Sequence, residues 1–206
     1  MSIRVENLSK SYKSKSVFND ISLEFESNKT YALIGASGSG KTTLLNAIAR
    51  IEKPTSGKIL LNGTDIFQIN EQKFFKNTLG YVFQNYALID EKSVAYNLSL
   101  INKNKEEQEK VLVAVDLDRN LLKAKIYELS GGQAQRVSLA RMLLKKPSII
   151  LADEPTGALD QETGNEIISL LLNLANADTY VIIATHDPNV YNKVDEVIDL
   201  KDYSEE

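Results

Sequence analysis

The sequence predicts an α/β fold: a mainly parallel sheet covered by helices on both faces, with strands at the N-terminus and a helical insert. Three observations predict it. Short apolar runs over 30–34, 148–152 and 179–184 have the length and the abrupt ends of buried strands. Helical patterns alternate with these runs, which is how parallel strands are connected. Residues before about 35 read as strand, whereas 92–145 contains no obvious strand at all.

Each element has a local reason. Ile3, Val5 and Leu8 begin the first strand, and Val17, Phe18, Ile21, Leu23 and Phe25 roughly alternate in the second. The run 30–34 stops at Gly35. The sequence TTLLNAIAR is apolar on one face and predicts a helix over 41–50. Pro54 and Gly57 mark a turn, and a strand over 58–61 meets the hairpin dipeptide Asn62-Gly63. Residues 71–77 read as helical and 79–83 as strand. In the insert, NKNKEEQEK reads as a solvated segment ahead of VLVAVDL. After Pro147 come a strand over 148–152, a helix over 162–175, a strand over 179–184 and a closing strand over 194–199.

Composition narrows the function classes. At 206 residues the chain is expected to be one domain, large enough to fold on its own core. With 43% hydrophobic and 25% charged residues it is neither a disordered chain nor a collagen-like repeat. The absence of cysteine excludes thiol catalysis, a zinc ribbon and a disulfide scaffold. A net charge of −4 without a basic block gives no footprint for nucleic acid, so no nucleic-acid partner is expected. The polar N-terminus has no signal-peptide pattern, and no run of eighteen apolar residues exists, so any membrane span must come from another polypeptide.

Three motifs carry chemistry. Gly35-Ala36-Ser37-Gly38-Ser39-Gly40-Lys41-Thr42 fits G-x-x-x-x-G-K-[ST], a phosphate-binding loop between a strand and a helix. Its glycines let backbone N–H groups turn inward, the helix adds its positive end, Lys41 adds a full charge, and the Thr42 hydroxyl is a magnesium ligand. Next, the strand ending in Ala152 delivers Asp153 and Glu154 at its C-terminal end, where open α/β sheets place ligands. Asp153 is expected to hold magnesium through water and Glu154 to polarise an attacking water. Third, Leu129-Ser130-Gly131-Gly132-Gln133 contains an S-x-x-Q capping box ahead of an amphipathic helix. Two glycines in a first turn cost up to about 1 kcal/mol each, which makes sense where a phosphate approaches the backbone.

LSGGQ following that loop, then DEPTGALD, then a lone histidine after a strand, resemble the ATP-binding subunit of an ABC transporter over essentially the whole chain. Within that superfamily DEPTGALD and YVFQNYAL resemble the branch serving lipoprotein release, macrolide export, cell division and bacteriocin or peptide export, with short bacteriocin-export subunits nearest. Ala158 departs from the usual Asn or Asp.

The resemblance implies a P-loop NTPase core with an N-terminal antiparallel β subdomain and an α-helical subdomain at about 88–146, all within one nucleotide-binding domain spanning 1–206. It implies ATP and Mg2+ as cofactors. Tyr12 would stack on adenine, and Gly35, Ala36, Ser37, Gly38, Ser39, Gly40, Lys41, Thr42 and Thr43 would hold the phosphates. Thr42, Gln84 and Asp153 would reach magnesium. Gln84 would also meet the attacking water, and His186, the only histidine, would contact the γ-phosphate. Ser130, Gly131, Gly132 and Gln133 would contact ATP held by a second subunit. Asp160 reads equally as a residue crossing that interface and as a helix N-cap. Arg136 and Arg141 read as structural or interface charges. The implied partners are a head-to-tail homodimer and a separate transmembrane permease, at the cytoplasmic face of the membrane. The implied work is export of a peptide or bacteriocin, a lipoprotein or a drug. The alternative is a membrane-coupled mechanical regulator of the cell-division type that moves no solute. The DNA-repair class of these ATPases inserts a very long coiled coil, and no sustained heptads lie between Gly40 and Ser130.

Overall fold

A computed structural model of the chain describes residues 2–203. Alternation in the N-terminal segment becomes an antiparallel pair, β1 (Ser2–Tyr12) and β2 (Lys15–Glu26), with Val5 opposite Leu23. Strand β3 (Thr30–Ile34) then enters a different sheet and leads into helix α1 (Lys41–Ile48). The helix stops two residues short of the sequence expectation because Arg50 takes a left-handed φ of 58°. The chain returns to the other edge of β1 as β4 (Ser56–Leu61), and the Asn62-Gly63 turn, both residues at positive φ, folds back into β5 (Thr64–Asp65).

The 71–77 stretch is a short helix α2 (Glu71–Lys73) followed by a π-turn, Phe74–Thr78, which feeds β6 (Leu79–Val82). The all-helical section contains α3 (Val94–Ser99), α4 (Lys105–Ala114) and α5 (Gly131–Leu143). Here the solvated-segment reading of NKNKEEQEK is corrected: from Lys105 onward it is the first half of α4. Asn104 caps it, its Oδ1 accepting the Glu107 N–H at 3.2 Å, and Glu106 and Glu107 favour the positive helix end. Gln108 is buried, its amide donating to Asn102 O at 2.8 Å. The remaining elements are β7 (Ile149–Asp153), α6 (Gln161–Leu172), β8 (Tyr180–Ala184), α7 (Pro188–Tyr191) and β9 (Glu196–Asp199).

Two sheets result, ordered β2-β1-β4-β5 and β6-β7-β8-β3-β9, the second parallel throughout. Period-2 geometry divides its central strands between two cores. Ile149, Leu151, Tyr180, Ile182 and Ala184 face the core shared with α1 and the antiparallel sheet. Ile150, Ala152, Val181 and Ile183 face the core shared with α3, α4, α5 and α6. Strands buried on both faces read as continuous apolar runs, which is why β7 and β8 are visible in the sequence. Arg136, nearly buried, fastens the second core, donating to Val115 O at 2.9 Å and pairing with Asp116 and Glu166.

Candidate functional site

The C-terminal ends of β7, β8 and β3, neighbours in the sheet, supply the chemistry-bearing side chains. Beyond β3 the loop needs glycine for its backbone, with φ of +146° at Gly35, +82° at Gly38 and +95° at Gly40. It is also tightly walled. A Cβ on Gly40 would lie 2.9 Å from Val17 Cγ1, and one on Gly35 2.6 Å from Ser39 Oγ. Gly40 is the N-cap of α1 and makes no side-chain cap, so the first amides of this helix have no protein acceptor from a capping side chain. Ser39 Oγ is buried without a hydrogen-bond partner. The Lys41 ammonium is tucked against the loop, donating to Gly35 O at 2.8 Å and Ala36 O at 3.1 Å.

Thr42 Oγ1 donates to Asp153 Oδ1 at 3.1 Å, so the hydroxyl and carboxylate expected at magnesium share one place. Burial pushes the Asp153 carboxyl above its ordinary value; the Thr42 hydrogen bond opposes this, the Glu154 charge adds to it, and Lys41 opposes it. Among the described residues no cluster of three or more His, Cys, Asp or Glu could cage a metal. A Mg2+ sharing one or two hard protein oxygens with phosphate needs no such cage, and Thr42 with Asp153 fits that requirement.

Glu154 follows directly, at a strained φ of +44°. Its N–H donates to Ala184 O at 2.9 Å, its Oε1 lies 2.7 Å from His186 Nδ1, and Thr185 Oγ1 donates to Oε2 at 3.3 Å. The end of the neighbouring strand β8 thus holds the carboxylate on both oxygens. The fully buried Thr185 carried no motif, and sequence reading missed it. Gln84, two residues past β6, faces the turn after Glu154: its Nε2 would stand 3.4 Å from a Cβ on Gly157.

Tyr12 closes the far side of the loop. It lines a cleft with Lys15, Ser37, Gly38 and residues 40–43, Thr43 among them. No residue of 130–133 lines that cleft, nor does Asp160. Asp160 caps α6, accepting the Thr163 N–H at 3.0 Å, and this bond holds its carboxyl below the ordinary value. Ser130 and Gln133 form the expected reciprocal capping box at 3.2 and 3.0 Å. Gly131 and Gly132 have a reason inside the chain that sequence could not supply. A Cβ at Gly131 would meet the Tyr86 hydroxyl at 3.0 Å, and one at Gly132 the Thr163 methyl at 2.6 Å. Of the two arginines read as structural or interface charges, Arg136 fastens the second core, and Arg141 donates to Ala87 O at 2.6 Å, beside a Ser138 bond to Tyr86 O at 2.9 Å.

The family described as "ABC transporter" matches residues 18–157. The chain belongs to the ABC transporter family. Among curated relatives, the lipoprotein-releasing system ATP-binding protein LolD of Buchnera aphidicola is 40% identical over 93% of this chain and 91% of its own length. The macrolide export ATP-binding/permease protein MacB of Vibrio parahaemolyticus is 36% identical over 97% of this chain, which spans only about a third of that relative. Among solved structures, one chain of the bacterial ABC transporter cassette MJ0796, described as dimeric, superimposes on this chain with a TM-score of 0.84 at 33% identity, covering 96% of this chain and 93% of its own. Its post-hydrolysis dimer bound to ADP and Pi gives 0.83 at 30% identity, with the same coverage. This ABC cassette therefore has the α/β architecture of its family and is an ATP-binding, ATP-hydrolysing subunit using ATP and Mg2+. No helix among the described residues is long and apolar enough to cross a membrane.

Proposed function

We propose that the cassette works as half of a head-to-tail homodimer that encloses two ATP and drives a separate transmembrane permease from the cytoplasmic face of the membrane. One observation carries this reading. The cleft beside the 35–42 loop contains nothing of the Ser130 helix tip, so one chain offers a nucleotide only one glycine-rich helix end and a second copy must bring the other. The dimeric state of MJ0796 supports it.

In this arrangement Gly35, Ala36, Ser37, Gly38, Ser39, Gly40 and Thr43 cradle phosphate oxygens, and Lys41 exchanges its loop carbonyls for them. Thr42 and Asp153, with Gln84, would hold Mg2+, which when bound would offset the charge of the phosphate oxygens. Glu154 orients a water and takes its proton. His186, with Nδ1 turned to Glu154, keeps Nε2 for the γ-phosphate side. Ser130, Gly131, Gly132, Gln133 and Asp160 meet the nucleotide of the opposite copy. An apolar groove beside Gln84, lined by Ile51, Phe83, Leu100 and Ile101, gives a permease a place to dock. The helical subdomain at 88–146 forms one wall of that groove. The LolD and MacB relatives support export of a lipoprotein, peptide or drug as the work performed.

Replacing Glu154 by Gln should keep ATP binding and lower turnover by about 10²–10⁴-fold, the usual contribution of a positioned base. With ATP and Mg2+ the variant should elute as a dimer in size-exclusion chromatography. A variant that stays monomeric and hydrolyses ATP at the parent rate overturns the reading.

A further inference from the structure

The hydroxyl of Tyr12 is anchored outside the cleft that its ring lines. It donates to a Glu52 carboxylate oxygen. Lys10 binds that Glu52 oxygen at 2.8 Å, donates to Lys53 O at 2.8 Å, and lies 4.8 Å above the Tyr12 ring centre. Both partners are largely shielded, with side-chain exposures of 13% for Lys10 and 22% for Glu52, while Tyr12 itself is 48% exposed. Glu52 is in turn anchored to α1, its N–H donating to Asn46 O at 3.1 Å. The helix that begins at the phosphate loop therefore fixes the aromatic platform through its far end. Glu52 does not line the cleft, so any effect on a ligand must pass through Tyr12.

We propose that Glu52, braced by Lys10, is a positioning residue that holds the Tyr12 ring in one orientation and so sets affinity for the purine of the nucleotide, without acting on the phosphates or on hydrolysis. This rests on Tyr12 being the purine platform. A ring free to rotate about its side-chain bonds must be ordered by each ligand that stacks on it, and a preordered ring need not be. Lys10, 4.8 Å from the ring centre, adds a cation to the same ring.

The test uses the full chain, with ATP turnover and displacement by inorganic tripolyphosphate, a probe lacking the base. Tyr12→Ala should raise the KM for ATP by about 10–100-fold, the range of base stacking on an aromatic side chain, and leave tripolyphosphate affinity unchanged. Glu52→Ala should raise it by roughly 3–10-fold with kcat and tripolyphosphate affinity unchanged. Tyr12→Phe keeps the ring but loses its bond to Glu52. It should match Glu52→Ala, and the double variant should be no worse than either single one. Glu52→Gln keeps an acceptor oxygen and should recover most of the affinity. If Tyr12→Ala weakens ATP while Glu52→Ala and Tyr12→Phe do not, the positioning role is wrong and the platform stands. If Tyr12→Ala has no effect, the platform reading itself fails. A loss of kcat or of tripolyphosphate affinity in Glu52→Ala reduces Glu52 to a general structural support and overturns the proposal.

Discussion

Two helices in this molecule begin with glycine, serine and a polar residue, and they begin for opposite reasons. At the start of α1 the glycines are demanded by the backbone, with Gly35, Gly38 and Gly40 at positive φ and no side chain capping the helix. At the start of α5 the backbone is ordinary, Ser130 and Gln133 cap the helix reciprocally, and Gly131 and Gly132 are demanded by what stands in front of them. One tip has no capping side chain for its amides, whereas the other caps part of its own. A glycine-rich helix start is therefore not one feature but two, and only dihedral angles and neighbours distinguish them.

The sharpest way to break this contrast is Gly40→Ala. Left-handed backbone and a Cβ 2.9 Å from Val17 and 3.0 Å from Phe18 should together cost about 2–4 kcal/mol in urea unfolding, and calorimetry should show ATP binding lost. Trimming the neighbours should not restore it, because the dihedral remains. Gly132→Ala should cost less, about 1–2 kcal/mol, since crowding against Thr163 is partly offset by the better helix propensity of alanine. Here trimming should work: Gly132→Ala with Thr163→Ser removes the colliding methyl and should return stability to within about 0.5 kcal/mol of the parent. A Gly132→Ala chain as stable as the parent would remove the packing explanation. The smallest effect is expected of Ser130→Ala, about 1 kcal/mol from the lost cap, with ATP binding by the single chain unchanged in calorimetry.

Much of this was legible in the sequence, and the exceptions share a cause. Strands β7 and β8 announce themselves because both faces are buried, and the 35–42 loop because its backbone requires glycine at fixed spacing. Thr42 and Asp153 were expected together and lie 3.1 Å apart. What escaped depends on partners distant in the chain. Thr163 and Tyr86 explain Gly132 and Gly131, and Thr185 supports Glu154, yet nothing in the sequence links any of them to the residue it serves. The first half of α4 was hidden by its charge, since only the Asn104 cap and a single buried Gln108 mark it as helix. Lys10 and Glu52 look like ordinary surface charges until the fold places them 2.8 Å apart over Tyr12.

Strand β3 carries the phosphate loop, and its two ladder neighbours are β8 and β9, both from the last part of the chain. On the ribosome, β3 emerges with neither edge paired, and its partners follow only after β8 and β9 have been translated. At about 5–20 residues per second that interval is roughly 7–30 s. A nascent chain interrupted before Tyr180 would hold an apolar strand open on both sides, a template for pairing with other nascent chains. A newly made cassette thus cannot complete the sheet beneath the 35–42 loop until β8 and β9 have been translated.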